Sequence, residues 1–266
     1  HKGFPGGSLD FITAASTAEL RSISAEWLHA SEIDELNEDL GEQGDPLELG
    51  RRALRTYVQT SKEFLECTPT LWPSSRIWTE LQRSSWGEYF VPCPHCEFRQ
   101  VLRWRSEPEA SVQGEEPAPD ATLYDESASV RAGFVYEVER GEIVPGSTHA
   151  VCEECSALIP QSSLLAMLEA GAWVDRYPER RHVVGRHIAS WYSPIQSWDK
   201  CAELYHKGRS RPAERKVFTN TIAGLPYREI VQQPEAHFLL ARAEVYDAPV
   251  PSGVVVLTAG VDVQQD

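Results

Sequence analysis

No apolar run in the chain approaches the about 20 residues that a membrane-spanning helix requires. The longest near the end covers residues 254–259, which excludes a helical span. The opening residues, His1-Lys2-Gly3-Phe4-Pro5, hold neither a start methionine nor the charged-then-apolar pattern of a secretory signal. The closing ones, Val261-Asp262-Val263-Gln264-Gln265-Asp266, stop in or just past a β-prone stretch. Both ends are read as cuts in a longer protein. No Gly-x-x-x-x-Gly-Lys-Ser/Thr run occurs, so a loop that cradles nucleotide phosphates is expected upstream of His1 or not at all. Positive charge is also scarce: 25 Lys/Arg stand against 40 Asp/Glu, and a net charge of −15 repels nucleic acid unless cations are concentrated somewhere.

They are concentrated. Residues 176–216 hold ten Lys/Arg and four Asp/Glu, a local balance of +6, whereas residues 26–48 hold nine carboxylates and no Lys/Arg. Residues 105–145 carry ten acids against three bases. The basic stretch reads equally as a solvated face or as a track for nucleic acid. Hydrophobic residues make up 41% of the 266, enough for a packed core in one large domain or two ordinary ones.

Residues 8–15 and 25–30 read as buried strands. Asp45-Pro46 opens a helix, with Pro46 at its first position, Glu48 placed to reach back to the cap, and an apolar face of Ala53, Leu54, Tyr57 and Val58. Residues 63–67 form a further strand, and strand–helix–strand suggests parallel α/β architecture. Short paired strands are expected at 89–91 and 100–104, a mobile loop at 106–120, a helix at 162–169 ended by Gly171, and a strand at 183–189. Ser197 caps a helix ending near Gly208, and Pro212 starts another that stops at Gly224. Residues 231–252 read as a connector before a β-prone finale at 254–263.

Four of the six cysteines form two Cys-x-x-Cys pairs, Cys93-Pro94-His95-Cys96 and Cys152-Glu153-Glu154-Cys155. Each places two soft ligands on one tight turn, and two such turns supply a closed tetrahedral zinc site with no open position for catalysis. The alternatives are His95 or His149 in place of one cysteine, or four unrelated thiols. A glycine often follows the second cysteine of such a turn; here Glu97 and Ser156 stand there. Cys67 and Cys201 read as ordinary buried residues.

The stretch from Ala25 to Asp34 has the outline of a strand delivering acids at its carboxyl end, as ATPases require for magnesium and the attacking water. Taken alone, it is equally a solvated turn. A series of blocks extends the pattern: Phe4-Pro5-Gly6-Gly7, Leu20-Arg21-Ser22, Ser31-Glu32-Ile33-Asp34, Gly44-Asp45-Pro46, Thr68-Pro69-Thr70, Ser75-Arg76-Ile77 and Tyr89-Phe90-Val91-Pro92 before the first cysteine pair. Trp191-Tyr192-Ser193-Pro194, Val217-Phe218-Thr219-Asn220-Thr221, Gly224-Leu225-Pro226 and Leu257-Thr258-Ala259-Gly260-Val261-Asp262-Val263-Gln264 follow. In order and spacing this series resembles the large terminase subunits of lambda-like tailed phages.

The resemblance implies an α/β chain: the C-terminal part of a P-loop-type ATPase domain with a zinc-ribbon-like insertion, then the first strand of a ribonuclease-H-like nuclease domain. The expected divisions are residues 1–88 (ATPase), 89–160 (zinc-ribbon-like insertion), 161–230 (remainder of the ATPase or a linker subdomain), 231–253 (connector) and 254–266 (nuclease). It implies Glu32 as catalytic glutamate, Thr68-Pro69-Thr70 as the segment coupling hydrolysis to DNA movement, Asp262 as catalytic and metal-binding in the nuclease, and Arg21 as a phosphate sensor. Ser31 stands where the family has its magnesium-associated aspartate, which either impairs catalysis or leaves Asp34 to compensate; Ser31, Asp34 and Thr68 are the cofactor-contacting candidates, and Cys93, Cys96, Cys152 and Cys155 the zinc ligands. The implied cofactors are structural Zn2+, ATP with Mg2+, and Mg2+ or Mn2+ for the nuclease. The implied partners are double-stranded DNA, the small terminase subunit, the portal protein of the procapsid and further copies of the subunit, in the host cytoplasm and away from membranes. Residues 1–266 alone are expected to be inactive. The competing readings are a non-catalytic zinc-ribbon module that docks DNA or protein, and a degenerate prophage relic.

Overall fold

The computed structural model describes residues 1–37, 39–41, 44–104 and 133–229. The loop at 106–120, the connector, the final strand and Asp262 lie outside them. Residues 1–229 form one compact unit of mixed α/β structure. Among the described residues no helix is long and apolar enough to cross a membrane.

The chain opens with a hairpin, β1 (Lys2–Phe4) against β2 (Gly7–Leu9), turned at Gly6 with φ +91°. The buried strand expected at 8–15 is instead an exposed one confined to residues 7–9, because its partner β1 runs out at Lys2, opposite Leu9. After α1 (Thr17–Ser22) come β3 (Trp27–Ser31), α2 (Pro46–Arg51) and β4 (Lys62–Glu66), and β3 and β4 pair in parallel from Trp27↔Lys62 to Ser31↔Glu66. The expected strand–helix–strand unit is present. β3 is not buried as expected, since Trp27 remains 68% exposed, and Phe64 on β4 is 62% exposed.

Local chemistry explains the helix. Pro46 sits at the start of α2, and the Asp45 carboxylate accepts the Leu47 N–H at 2.8 Å. Glu48 does not turn back to the cap but pairs with Arg51, whose guanidinium also meets Glu63 and Glu80. Asp45 in turn receives Arg76 at 2.8 and 2.9 Å, tying α2 to α3 (Arg76–Arg83).

β5 (Gly87–Pro92) lies between β6 (Arg99–Gln100) and β12 (Ala172–Asp175), both antiparallel to it. A second sheet joins β7 (Gly133–Val135), β10 (His149–Val151) and β11 (Leu158–Pro160), with the small hairpin β8 (Val138–Glu139) and β9 (Glu142–Ile143) between. Residues 183–189 do not form the expected strand: Val184 and Ile188 are exposed, and only a Gly87↔Arg186 bridge links the segment to β5. The strand beside β5 is instead β12, which follows the helix α4 (Leu164–Glu169).

The helices α5 (Trp198–Gly208) and α6 (Pro212–Val217) start and stop as expected, and α6 runs on into a π-helix over Phe218–Ile222 before Gly224 at φ +68°. They close an aromatic core of Trp104, Phe134, Trp191, Trp198 and Phe218. Trp104 and Phe134 stack at 4.6 Å, and the Trp191 and Trp198 indoles donate to the Leu102 and Trp191 carbonyls, each at 2.8 Å.

Candidate metal centre and strand-end site

Two hairpins bring the four cysteines together. β5 and β6 flank Cys93 and Cys96; β10 and β11 flank Cys152 and Cys155. In the first turn Cys93 N–H donates to Phe98 O and Glu97 N–H to Cys93 O; in the second, Cys152 N–H donates to Ala157 O and Ser156 N–H to Cys152 O. The two turns are built alike. Glu97 and Ser156, at the positions where glycine is usual, adopt φ of +62° and +59°. The left-handed geometry is thus kept without the residue that takes it freely.

The four Sγ atoms lie within 4.8 Å of one another, with Cys96–Cys152 at 3.6 Å and Cys93–Cys155 at 3.9 Å. A tetrahedron with metal–sulfur bonds of about 2.3 Å has edges of about 3.8 Å, so the cluster has the dimensions of a zinc-type site. His95 and His149 are outside the group; the His149 ring meets Ser147 O. Burial raises the Cys152 thiol, while the Ala157 N–H holds Cys155 low. Gln100, buried on β6, accepts the Glu153 N–H at 2.7 Å and so ties the first hairpin to the second turn. Sequence reasoning passed over Gln100 because one buried amide makes no pattern.

The carboxyl ends of β3 and β4 form the second site. Glu32 follows β3 in the left-handed region (φ 54°), exposed, with its N–H on Glu66 O at 2.9 Å. Ser31 Oγ donates to Glu66 Oε1 at 2.7 Å, and His29 Nε2 lies 3.5 Å from the same oxygen. The neighbouring strand thus brings a carboxylate to Ser31, a juxtaposition no linear pattern discloses. The single Cys67 S–H faces two acceptors, Thr68 O at 3.1 Å and Glu32 Oε2 at 3.6 Å, and Sγ accepts the Asp34 N–H at 3.4 Å; burial pushes its thiol up to about 12, so it stays protonated. Cys67 is therefore half-buried beside Glu32 rather than simply in the core.

Asp34 is fully engaged. Oδ1 accepts the Ile77 N–H at 2.9 Å in the first turn of α3, and Oδ2 accepts both Thr70 N–H and Thr70 Oγ1–H, at 2.9 and 3.1 Å. Thr68 is exposed next to Cys67, and Arg21 lies in the last turn of α1. The structure thus gathers Ser31, Glu32, Asp34 and Thr68 at one strand end and places the four cysteines in a separate cluster.

In the basic stretch, the cations at its start serve the fold. Arg180 stacks 4.0 Å over Tyr177 and donates to Gln82 O, and Arg186 lies over Trp173 while bonding Asp175 and Ser85.

The profile described as "Phage terminase large subunit gpA, ATPase domain" matches residues 1–173, and "Terminase large subunit gpA, endonuclease domain" matches residues 183–266. The terminase large subunit of Escherichia phage lambda is 26% identical over 240 residues, covering 88% of this chain and 35% of its own length. That of Enterobacteria phage P21 is 26% identical over 258 residues, covering 96% of this chain and 38% of its own. The chain therefore spans little more than a third of these relatives. No solved structure matches it.

Proposed function

The chain belongs to the phage terminase large subunit gpA family, and from that premise we propose that it is part of a DNA-packaging motor that couples ATP hydrolysis to DNA movement and cuts DNA with divalent metal. The observation that carries the reading is the parallel β3/β4 pair, whose carboxyl ends set Glu32 and the segment Thr68-Pro69-Thr70 side by side. Glu32 orients or deprotonates the water that attacks the γ-phosphate. It is exposed, and the Cys67 thiol lies 3.6 Å from one of its oxygens.

A hydroxyl is a poor partner for hydrated magnesium, so Ser31 alone is a weak substitute for aspartate. Glu66, hydrogen-bonded to Ser31, supplies the missing carboxylate, and Asp34, its oxygens committed to Thr70 and Ile77, acts as a strut. This departs from the expectation that Asp34 compensates. Thr68 faces solvent next to this pair and is the candidate to sense the phosphates.

Zinc held by Cys93, Cys96, Cys152 and Cys155 is structural: four thiolates leave no position for substrate, and the ion ties two hairpins whose strands are only two to six residues long. Asp262 is a ligand to Mg2+ or Mn2+ in the nuclease. Double-stranded DNA, a small terminase subunit, a portal protein and further copies of the subunit are the partners this function requires. The test is DNA-stimulated ATP turnover by the complete protein, abolished by Glu32→Gln and by Glu66→Gln but not by Asp262→Asn, which removes only cleavage.

A further inference from the structure

Every polar atom of Thr70 is engaged. Its N–H and Oγ1–H go to Asp34, and its carbonyl accepts from Tyr227 N–H at 2.8 Å and from Asn220 Nδ2 at 2.6 Å. Asn220 Nδ2 also donates to Pro69 O at 2.8 Å and Leu225 O at 2.9 Å. An amide nitrogen carries two hydrogens, so three carbonyls share them. Asn220 is 9% exposed, and little water can replace a lost donor there.

The backbone around Asn220 explains the aim of its side chain. It is the middle residue of the π-helix Phe218–Ile222, closed by Ala223 N–H on Phe218 O at 2.9 Å. Phe218 packs its ring against Trp104 and Tyr205 at 5.5 and 5.2 Å, on the aromatic core. Two residues on is roughly half a turn, which turns Asn220 to the opposite side, toward Pro69 and Thr70. Trp72 N–H on Tyr227 O, at 3.0 Å, adds a main-chain clasp to the same segment.

Two of the three acceptors, Pro69 O and Thr70 O, belong to the irregular stretch directly after β4, where the isolated bridge Leu71↔Tyr227 stands in place of a ladder. Cys67 and Asp34, which flank Glu32, are bonded into that stretch. Asn220 lies in the part of the chain matched by the endonuclease profile, and Pro69 and Thr70 in the part matched by the ATPase profile.

We propose that Asn220 is a positioning residue that sets the main-chain geometry of residues 68–70, and that through it the two parts of the motor keep ATP turnover at Glu32 in step with DNA movement. The proposal rests on the packaging-motor reading above. Removing the donors loosens Pro69 and Thr70, which Asp34 and Tyr227 then hold alone, and leaves Glu32 untouched, so turnover continues while movement per ATP falls.

The experiment compares Asn220→Leu, which keeps the branched shape and loses both N–H groups, with Tyr192→Phe in the complete large subunit. Tyr192→Phe breaks two other buried hydrogen bonds, to Leu102 N–H and Tyr89 O, away from Thr70. Base pairs moved per ATP hydrolysed is expected to fall about tenfold in Asn220→Leu and to stay near the wild-type value in Tyr192→Phe. Asn220→His, which retains a ring N–H near the amide position, is expected to recover most of the ratio, and does so even if Asn220→Leu fails to fold. An unchanged ratio in Asn220→Leu, an equal fall in Tyr192→Phe, or a loss in Asn220→His as deep as that in Asn220→Leu overturns the proposal. A wild-type protein without ATP turnover overturns the motor reading instead. The link is then read by amide exchange at Trp72 and Tyr227, which must be faster in Asn220→Leu than in Tyr192→Phe.

Discussion

Asp34 and Thr70, 36 residues apart, are joined by two hydrogen bonds through a single carboxylate oxygen, while the other oxygen of Asp34 holds the first turn of α3. One side chain thereby fixes the end of β3, the stretch after β4 and a helix start. Bonds to a charged acceptor are each worth about 1.5–3 kcal/mol, and part of this one is solvent-screened. Asp34→Ala is expected to cost about 2–3 kcal/mol in urea unfolding. A midpoint equal to the parent's would show that Asp34 is not a strut.

Zinc is expected at one equivalent per chain. Cys152→Ser should release it and lower thermal stability sharply, because Cys152 is both one of the four clustered thiols and fully buried. Metal analysis well below one equivalent in the parent, or full retention in the variant, contradicts the site.

Glu97 and Ser156 hold a left-handed backbone that costs an L-residue about 1 kcal/mol. Glu97→Gly and Ser156→Gly are therefore expected to raise the unfolding midpoint slightly with zinc bound, and Glu97→Val to lower it. Glycine variants less stable than the valine one would show that side-chain contacts, not backbone strain, govern these turns.

His187 is half-buried, and desolvation of its ring lowers its pKa below the usual histidine value even though its Nε2 meets Ala223 O and Gly224 O at 3.0 and 3.1 Å. A depressed folded pKa means that the unfolded chain binds the proton more readily. Stability from His187 is thus complete above the unfolded pKa of about 6.5 and declines as pH falls toward the lower folded value. Unfolding between pH 7.5 and 5, with zinc content followed in parallel, should show this slope and a shallower one in His187→Gln. Equal slopes would assign the acid sensitivity elsewhere.

What the sequence disclosed was local chemistry. Asp45-Pro46 announces α2 because capping needs only neighbouring residues, and each Cys-x-x-Cys writes its own turn. The β3–α2–β4 unit was legible for the same reason. What remained hidden depends on partners remote in the chain. Residues 183–189 look like a strand from their valines and isoleucine, yet they meet β5 at a single bridge, Gly87↔Arg186, on the edge opposite β12. The Ser31–Glu66 bond arises from parallel register, and the work of Gln100 and Asn220 arises from burial of single amides, which leaves no periodicity.

The most direct measurement is DNA-stimulated ATP hydrolysis by the complete large subunit, parent against Glu32→Gln. Glu32 accepts the Cys67 thiol, an exposed contact that glutamine preserves, so the fold should be unchanged while the general base is lost. Turnover is expected to fall at least about a hundredfold with nucleotide binding intact. Turnover by Glu32→Gln at the parental rate would contradict the assignment of this strand end as the hydrolytic site.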